Sequence, residues 1–573
     1  MTPSMTFPAA QPQSPSVAAF TAAGQPFELT ESLVGGVHCR VFANAPRSLA
    51  QLYPAARVHD ARVFAVMDGV RLTYAQVFAQ AAALAAVLQT DGVGQGTHVG
   101  VAMRNRPEWL SAFIAITALG AVPVLINSRG AAAELSYAVR YTRCRYLFTD
   151  ERCAGLIAQA GAAAELAGIV SGELPAGCRH WRRFADLSAT AAPAALPVTV
   201  CAAEDPALIM FTSGTTGEPK GAVLNQVGVM TALMANQLSG ALLGARMAAQ
   251  LGVDLATLAR NAPQPATLLV FPLFHTSGCL SVFLTTLARG GKIVFLPRWS
   301  AQAALTLVAE ERVSALPAVP TMLWDLLQSP QVANYDTSSL VSLGTGGQAL
   351  PENLLRAIRE RFPRAVLGTG YGMTETNGMV SLAVGEEYLS HPGSGGRPLA
   401  TAQIRITDDA DRELPHGVSG EICVRSAQNM HGYFERPEAN AAILRGGWLH
   451  TGDVGYLDEE GYLHIVSRKT DMIISGGENI YCAEVERVLN QHPDVLEVAT
   501  FGIADARLGE RLAAVIVARA GARLEAAALR EFCEARLARY KVPAEWRFEA
   551  GPLERTATGK VMKAQVRERL YGA

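Results

Sequence analysis

The stretch LIMFTSGTTGEPKGA, Leu208 to Ala222, runs four apolar residues into a series of hydroxyls and glycines that ends on one lysine. LIMF reads as a short buried strand, and TSGTTGEPK leaves its carboxyl end, the edge at which open α/β sheets bind ligands. Glycines let backbone N–H groups approach phosphate oxygens, hydroxyls donate further hydrogen bonds, and Lys220 adds a charge. The spacing is not G-x-x-x-x-G-K-[ST], so this is no Walker A loop. Taken alone, a Gly/Ser/Thr run is more often a plain surface loop.

The surroundings decide between these readings. From residue 60 to 470, short Val/Leu/Ile runs alternate with Ala-rich helical segments, the pattern of parallel α/β layers. HVGVAM followed by NRPEWLSAFIAI is one strand-to-helix step; Thr73 and Gln76 stand at capping-box spacing, and Ser300 is placed to cap another helix. The most apolar stretch, Ser111 to Ile126, is broken by Gly120 and Pro123 and is shorter than a membrane span of about 18 residues. It reads as a buried helix and a buried strand, with no integral membrane segment expected. Residues 395–465 turn to short alternating strands, and a compact α+β pattern follows Asp471. The expected fold is α/β. Residues 1–28 form a disordered Pro/Ala-rich tail, 29–469 a large N-terminal domain of doubly wound sheets with a small β-barrel-like unit, and 470–573 a small mobile α+β C-terminal domain.

Composition narrows the function. At 573 residues, half of them hydrophobic and 17% charged, the chain reads as a multidomain globular protein. A net charge of -2 offers no broad attraction to nucleic acid or anionic lipid, so an anionic ligand must be held by local groups. The nine cysteines are scattered, with no C-x-x-C pair, which indicates neither a zinc site nor a disulfide framework and favours reduced thiols in the cytoplasm. The N-terminus lacks the basic and apolar regions of a signal peptide.

Further polar residues stand where strands end. His275 follows an apolar run in LVFPLFHTSG. VLGTGYGMTET carries Glu375, and a carboxylate beside phosphate needs a cation between them, which makes it a Mg²⁺ ligand candidate. Asp453 is an acid suited to ribose hydroxyls and Arg468 a donor to ribose or phosphate. Lys560 sits in a Thr/Gly loop near the C-terminus.

In order, FTSGTTGEPKG, PLFHTSG, TGGQALP, GYGMTET, GEICVR, HTGDVG, SRKTDMIISGGENIY and RTATGK resemble the adenylate-forming superfamily of acyl-CoA synthetases, peptide-synthetase adenylation domains and beetle luciferases. The resemblance spans roughly residues 60 to 565. It implies that Thr212, Ser213, Gly214, Thr215, Thr216, Gly217 and Lys220 hold the β- and γ-phosphates of ATP. It further implies that Gly346, Gly347 and Gln348 flank the adenine with Tyr371. By the same resemblance Thr374 would touch the α-phosphate, Glu375 would hold Mg²⁺, and Asp453 and Arg468 would bind the ribose. Lys560 would reach the carboxylate and α-phosphate during adenylation, while Ser475, Gly476, Gly477 and Glu478 would lie near the thiol and pantetheine arm of CoA. Three positions depart from the family pattern: Thr470 at the hinge, Ser467 before the arginine and Cys482 after the tyrosine.

The implied activity is an acid–thiol ligase that forms acyl-AMP, releases pyrophosphate and transfers the acyl group to CoA. Amino-acid-activating relatives carry an aspartate where His275 stands, so the expected acid is fatty, branched, alicyclic or aryl. Cys279, Leu280, Val282 and Phe283 read equally as a greasy pocket or as helix core. Other readings remain open: an acyl-AMP ligase loading a carrier protein, an aryl-CoA ligase, luciferase-like oxidation, or a scaffold of the same fold without catalysis.

Overall fold

Local signals fix the helix starts. Thr73 caps Tyr74–Thr90 by accepting from the Gln76 N–H, and the Gln76 side chain accepts from the Thr73 N–H, a complete capping box. Ser300 caps Ala301–Glu310, and Asn225 caps the long helix Gln226–Leu251. Pro107 opens Pro107–Ala118, whose φ suits a first helical turn. That helix and the strand Val122–Leu125 are the buried pair expected of Ser111 to Ile126. The computed structural model describes residues 15–163, 166–178, 181–190, 195–212, 218–346, 352–475, 478–505, 507–556, 559 and 561–572.

Two large sheets organise the first three quarters of the chain. The eight-stranded sheet runs Gly432–Tyr433, Lys220–Asn225, Pro206–Thr212, Val122–Leu125, His98–Ala102, Tyr146–Asp150, Ala167–Ser171, Arg182–Arg183. The nine-stranded sheet runs Arg397–Pro398, Gly378–Val384, Val366–Met373, Ser342–Gly346, Ala315–Ala318, Ala266–Leu269, Lys292–Phe295, Val63–Met67, Val70–Thr73. Interior neighbours are parallel and antiparallel pairs lie at the edges. The main core joins both sheets through shared helices: Phe64, Ile293 and Phe295 from one, Val99, Leu208 and Met210 from the other. Between them Trp109 stacks on Phe113 at 5.3 Å, and Phe283 meets both edge-on at 5.8 and 5.4 Å. Each such buried side chain contributes roughly 1.5–3 kcal/mol.

Cys279, Leu280, Val282 and Phe283 belong to this core. They lie on a wide π-type helix, Ser277–Leu284, and are at most 3% exposed. Of their two readings the structure selects packing. Gly278 is required there, because a Cβ would stand 2.1 Å from the Pro272 carbonyl oxygen.

A five-stranded antiparallel sheet forms the small unit: Ala402–Thr407, Gly420–Ser426, Trp448–Leu457 and Leu444–Arg445, with Leu463–Arg468 also on Trp448–Leu457. Another five-stranded sheet, with helices Cys482–Leu489, Ala526–Glu534 and Lys563–Tyr571, makes the C-terminal α+β unit with its own cores. It touches the large domain at the helix Pro320–Gln328. The Arg519 guanidinium lies over the Trp324 ring at 4.8 Å, and a Cβ on Gly559 would sit 3.3 Å from Val319.

Two expectations change. Residues 15–28 are not a disordered tail: Pro15–Thr21 is a helix, and Phe20, Phe27 and Phe42 form a chain of ring contacts at 6.4 and 6.2 Å against Met234, Ala235 and Leu238. Two aromatic anchors outweigh the Pro/Ala composition there, while residues 1–14 lie outside the described residues. The second change concerns apolar length. Within the described residues, Gln226–Ala249 is one helix long and apolar enough to cross a membrane, and half of its apolar window is buried inside the protein. The nine cysteines are buried and free.

Candidate active site

The hydroxyl-rich loop joins two antiparallel strands, Pro206–Thr212 and Lys220–Asn225, with Thr212 opposite Lys220 and the Thr212 hydroxyl donating to the Lys220 carbonyl at 3.5 Å. Ser213, Gly214, Thr215, Thr216 and Gly217 lie outside the described residues, but both ends of the hairpin are fixed. The segment around Tyr433 closes its outer edge: the His431 N–H donates to the Val223 carbonyl at 2.9 Å and the Phe434 N–H to the Gly221 carbonyl at 2.8 Å. The Lys220 ammonium stands 5.1 Å from the Tyr433 ring centre.

Glu375 comes from the other sheet. Val366–Met373 ends in a tight 3₁₀ turn, Thr374–Thr376, and the chain doubles back through Asn377 at φ 54°. Gly372 makes the reversal possible, because a Cβ would fall 1.9 Å from the Gly378 carbonyl oxygen. The Asn377 side chain donates to the Gln428 carbonyl at 2.6 Å, and the Met430 N–H to the Glu375 carbonyl at 2.7 Å. Glu375 itself is buried, with Oε1 accepting from the Tyr433 hydroxyl at 2.7 Å. Burial, then the neighbouring Glu375 charge, push the Tyr433 hydroxyl far above its ordinary range, so it is a neutral donor. Oε2 has no hydrogen-bond partner among the described residues. A hard carboxylate oxygen with one lone-pair face uncommitted fits Mg²⁺, which takes one or two carboxylates and completes its shell with phosphate and water.

Strand register makes the third part. Asp453 lies opposite Arg468, with Oδ1 3.0 Å from the Arg468 Nε, and Oδ2 accepts from the Tyr371 hydroxyl at 2.8 Å. Burial, then the Asp453 charge, hold Tyr371 well above its usual range, again as a donor. Beneath this pair Glu421 accepts from the Gly452 N–H at 3.1 Å, from the Lys469 ammonium at 3.1 Å and from His450 Nδ1 at 3.1 Å. Burial raises the Glu421 carboxyl, but the bonds from His450 and Lys469 outweigh it and hold it below the carboxylate range.

Asp411, Cys423 and His450 gather three metal-ligating groups nearby. The ring nitrogens of His450 face apart, Nδ1 toward Cys423 at 3.3 Å and Nε2 toward Asp411 at 3.6 Å, and the Arg445 guanidinium stands 2.6 Å from Nδ1. One ion would not be served by both nitrogens, and the guanidinium opposes a cation. The cluster is a hydrogen-bond hub.

His275 follows Ala266–Leu269 as expected of its sequence. Burial, then the Arg129 charge, lower its imidazole to about 4, so it is neutral at pH 7. In an unfolded chain it titrates near 6.5. Below that pH the unfolded state gains a proton the folded state refuses, so stability is full above pH 6.5 and falls as pH drops toward 4. Thermal melts at pH 7.5 and 5.0 are expected to show this loss, and His275→Gln to reduce it; an unchanged slope in the variant would exclude His275 as its source.

The remaining sequence candidates divide. Gly346 ends Ser342–Gly346 opposite Gly370, next to Tyr371, whereas Gly347 and Gln348 lie outside the described residues. Ser475 and Glu478 are paired across adjacent strands, and Gly476 and Gly477 between them lie outside. Lys560 also lies outside; its neighbour Gly559 rests against Val319 at the carboxyl end of Ala315–Ala318. The structure thus gathers Lys220, Tyr433 and Glu375 in one group of contacts and Tyr371, Asp453 and Arg468 in another, with Tyr371 and Glu375 carried by one strand and the turn that follows it. Tyr433 and Glu421 are additions to the sequence reading. Neither has a spacing that announces it: Tyr433 bonds a residue 58 positions away.

A family model described as AMP-binding enzyme matches residues 52–434, and one described as AMP-binding enzyme C-terminal domain matches 484–560. A feruloyl-CoA synthase of Amycolatopsis sp is 36% identical over 501 residues, covering 87% of this chain and 94% of that protein. A long-chain-fatty-acid–CoA ligase of Mycobacterium tuberculosis is 34% identical over 499 residues, covering 87% and 93%. The solved o-succinylbenzoate CoA synthetase of Bacillus subtilis, in complex with its acyl-adenylate intermediate, superposes with a TM-score of 0.73 at 30% identity, covering 90% of this chain and 97% of that one.

Proposed function

Because the chain belongs to the AMP-binding enzyme family, we propose that it is an ATP-dependent acyl-CoA synthetase acting on a hydrophobic, non-amino carboxylic acid. The observation that carries this reading is the pair of contact groups: a hairpin lysine with a buried acid that has a free oxygen, and an Asp–Arg–Tyr triplet between the small sheet and the strand leading to that acid. The family's CoA ligases named above support the acceptor.

A carboxylate is a poor acyl donor because its leaving group would be oxide. Its oxygen therefore attacks the α-phosphorus of ATP, the bond to the β-phosphate oxygen breaks, and pyrophosphate leaves. In this reading the hairpin with Lys220 grips the phosphates and Asp453 and Arg468 hold the ribose. Thr374 stands by the α-phosphate, and Lys560 offsets the charge that builds there. Glu375 would hold Mg²⁺, which would supply neutralisation of the phosphate charge. The CoA thiol then attacks the acyl carbonyl and AMP leaves, with Ser475, Gly476, Gly477 and Glu478 along its approach.

The second step needs the lysine loop out of the way, so the C-terminal domain rotates. Lys469 is tied to Asp409 and Glu421 of the large domain at 3.1 Å each, and the Asp471 carbonyl accepts from the Cys482 thiol of the small domain at 3.1 Å. Those anchors support a pivot at Thr470. His275 offers no negative charge to form an ion pair with a substrate ammonium, which supports a non-amino acid. The nine free thiols support a cytoplasmic setting.

Pyrophosphate release with ATP, Mg²⁺ and a panel of short, medium, long and aryl acids, with and without CoA, tests the reading. Release that depends on one acid class and rises with CoA is expected. Acid-dependent release indifferent to CoA would point to a carrier protein as acceptor, and no release with any acid would remove the assignment.

A further inference from the structure

We infer that Tyr433 is a positioning residue for the divalent cation: its hydroxyl orients Glu375 and its ring carries Lys220, setting the metal acid and the phosphate lysine relative to each other. The inference rests on the adenylating function proposed above and deepens it.

Lys220 and Glu375 belong to different sheets, so neither sheet's register fixes their separation. Residues 430–434 cross between them. On one side this segment pairs with the hairpin strand, Tyr433 opposite Ala222 and Gly432 opposite Val223. On the other it holds Glu375 twice, at the carbonyl through the Met430 N–H and at Oε1 through the Tyr433 hydroxyl. Tyr433 has little freedom of its own: its N–H donates to Asn440 Oδ1 at 2.6 Å and its carbonyl accepts from Asn440 Nδ2 at 3.0 Å. A phenol donor on Oε1 pins the carboxylate plane and leaves Oε2 for the ion. Groups that orient a metal ligand in this manner typically change metal affinity by about 10- to 100-fold when removed.

Tyr433→Phe removes the hydroxyl alone, because the ring over Lys220 and the backbone bonds to Asn440 remain. The expected result is about a tenfold rise in the Mg²⁺ concentration for half-maximal pyrophosphate release at fixed ATP. The rate at saturating Mg²⁺ should stay within about twofold of wild type. Mn²⁺ titrated into protein with a non-hydrolysable ATP analogue should bind weaker by the same factor, a readout independent of turnover. Equal Mn²⁺ affinity in the two proteins overturns the role of Tyr433, and so does a lowered melting temperature with unchanged Mn²⁺ affinity. Wild-type protein that binds Mn²⁺ with the analogue yet releases no pyrophosphate with any acid overturns the functional reading alone.

Discussion

Lys560→Ala is expected to slow adenylate formation by about 10²- to 10³-fold, the usual cost of removing one preorganised donor from a charge-building transition state. Thioester formation from preformed acyl adenylate should fall far less. Arg555 and Val561 form a bridge that closes the loop, and the Arg555 guanidinium donates to the Gly559 carbonyl at 2.6 Å. Gly559 packs on Val319, where Ala315–Ala318 ends. The parallel strands beside it end at Gly346 and at Met373, immediately before Thr374. Gly559 therefore lies against the edge that carries the proposed α-phosphate and adenine contacts. In the function proposed above, Lys560 would serve the first half-reaction and withdraw for the second. Isotope exchange between pyrophosphate and ATP reports the first, and CoA consumption with supplied acyl adenylate the second. Equal losses in both would remove Lys560 from its role.

What the sequence discloses is local. Thr73 with Gln76, Ser300 before Ala301, and the apolar run into Val122–Leu125 are each written within a few residues, and each forms as read. The LIMF strand is equally legible, but its antiparallel partner Lys220–Asn225 and the closure by Gly432–Tyr433 are long-range register choices. The same holds for the site. Asp453 and Arg468 are identified by motif, yet that they face each other depends on a bulged pairing of two strands. Tyr433 reads as an ordinary aromatic after a glycine, because its meaning lies in Glu375 on another sheet. Phe20 and Phe27 are hidden by the Pro/Ala residues around them, since composition registers averages and packing depends on two rings.

Asp453→Ala is expected to reduce kcat/KM for ATP by about 10²- to 10³-fold, with the KM for the carboxylic acid changed far less. Asp453 is buried, only 5% exposed, and its two carboxylate oxygens already accept from Arg468 and Tyr371. An ionised carboxylate accepts about four hydrogen bonds, so two positions remain for the ribose hydroxyls. Bonds to a charged acceptor contribute about 1.5–3 kcal/mol each, and losing two at the lower end costs about 3–4 kcal/mol, which at about 1.4 kcal/mol per tenfold gives the stated range. Asp453→Asn keeps the shape but removes the charge: its oxygen must face the Arg468 Nε–H, which only donates, and its amide then faces the Tyr371 hydroxyl, which has to turn and accept. A deoxy substrate separates recognition from collapse. Wild-type enzyme should discriminate ATP from 2′-deoxy-ATP or 3′-deoxy-ATP, and Asp453→Ala should lose that discrimination, because the deleted hydroxyl and the deleted carboxylate are partners in one interaction. Discrimination that survives in the variant would mean that the ribose is held elsewhere and that Asp453 serves only to fix Arg468 and Tyr371.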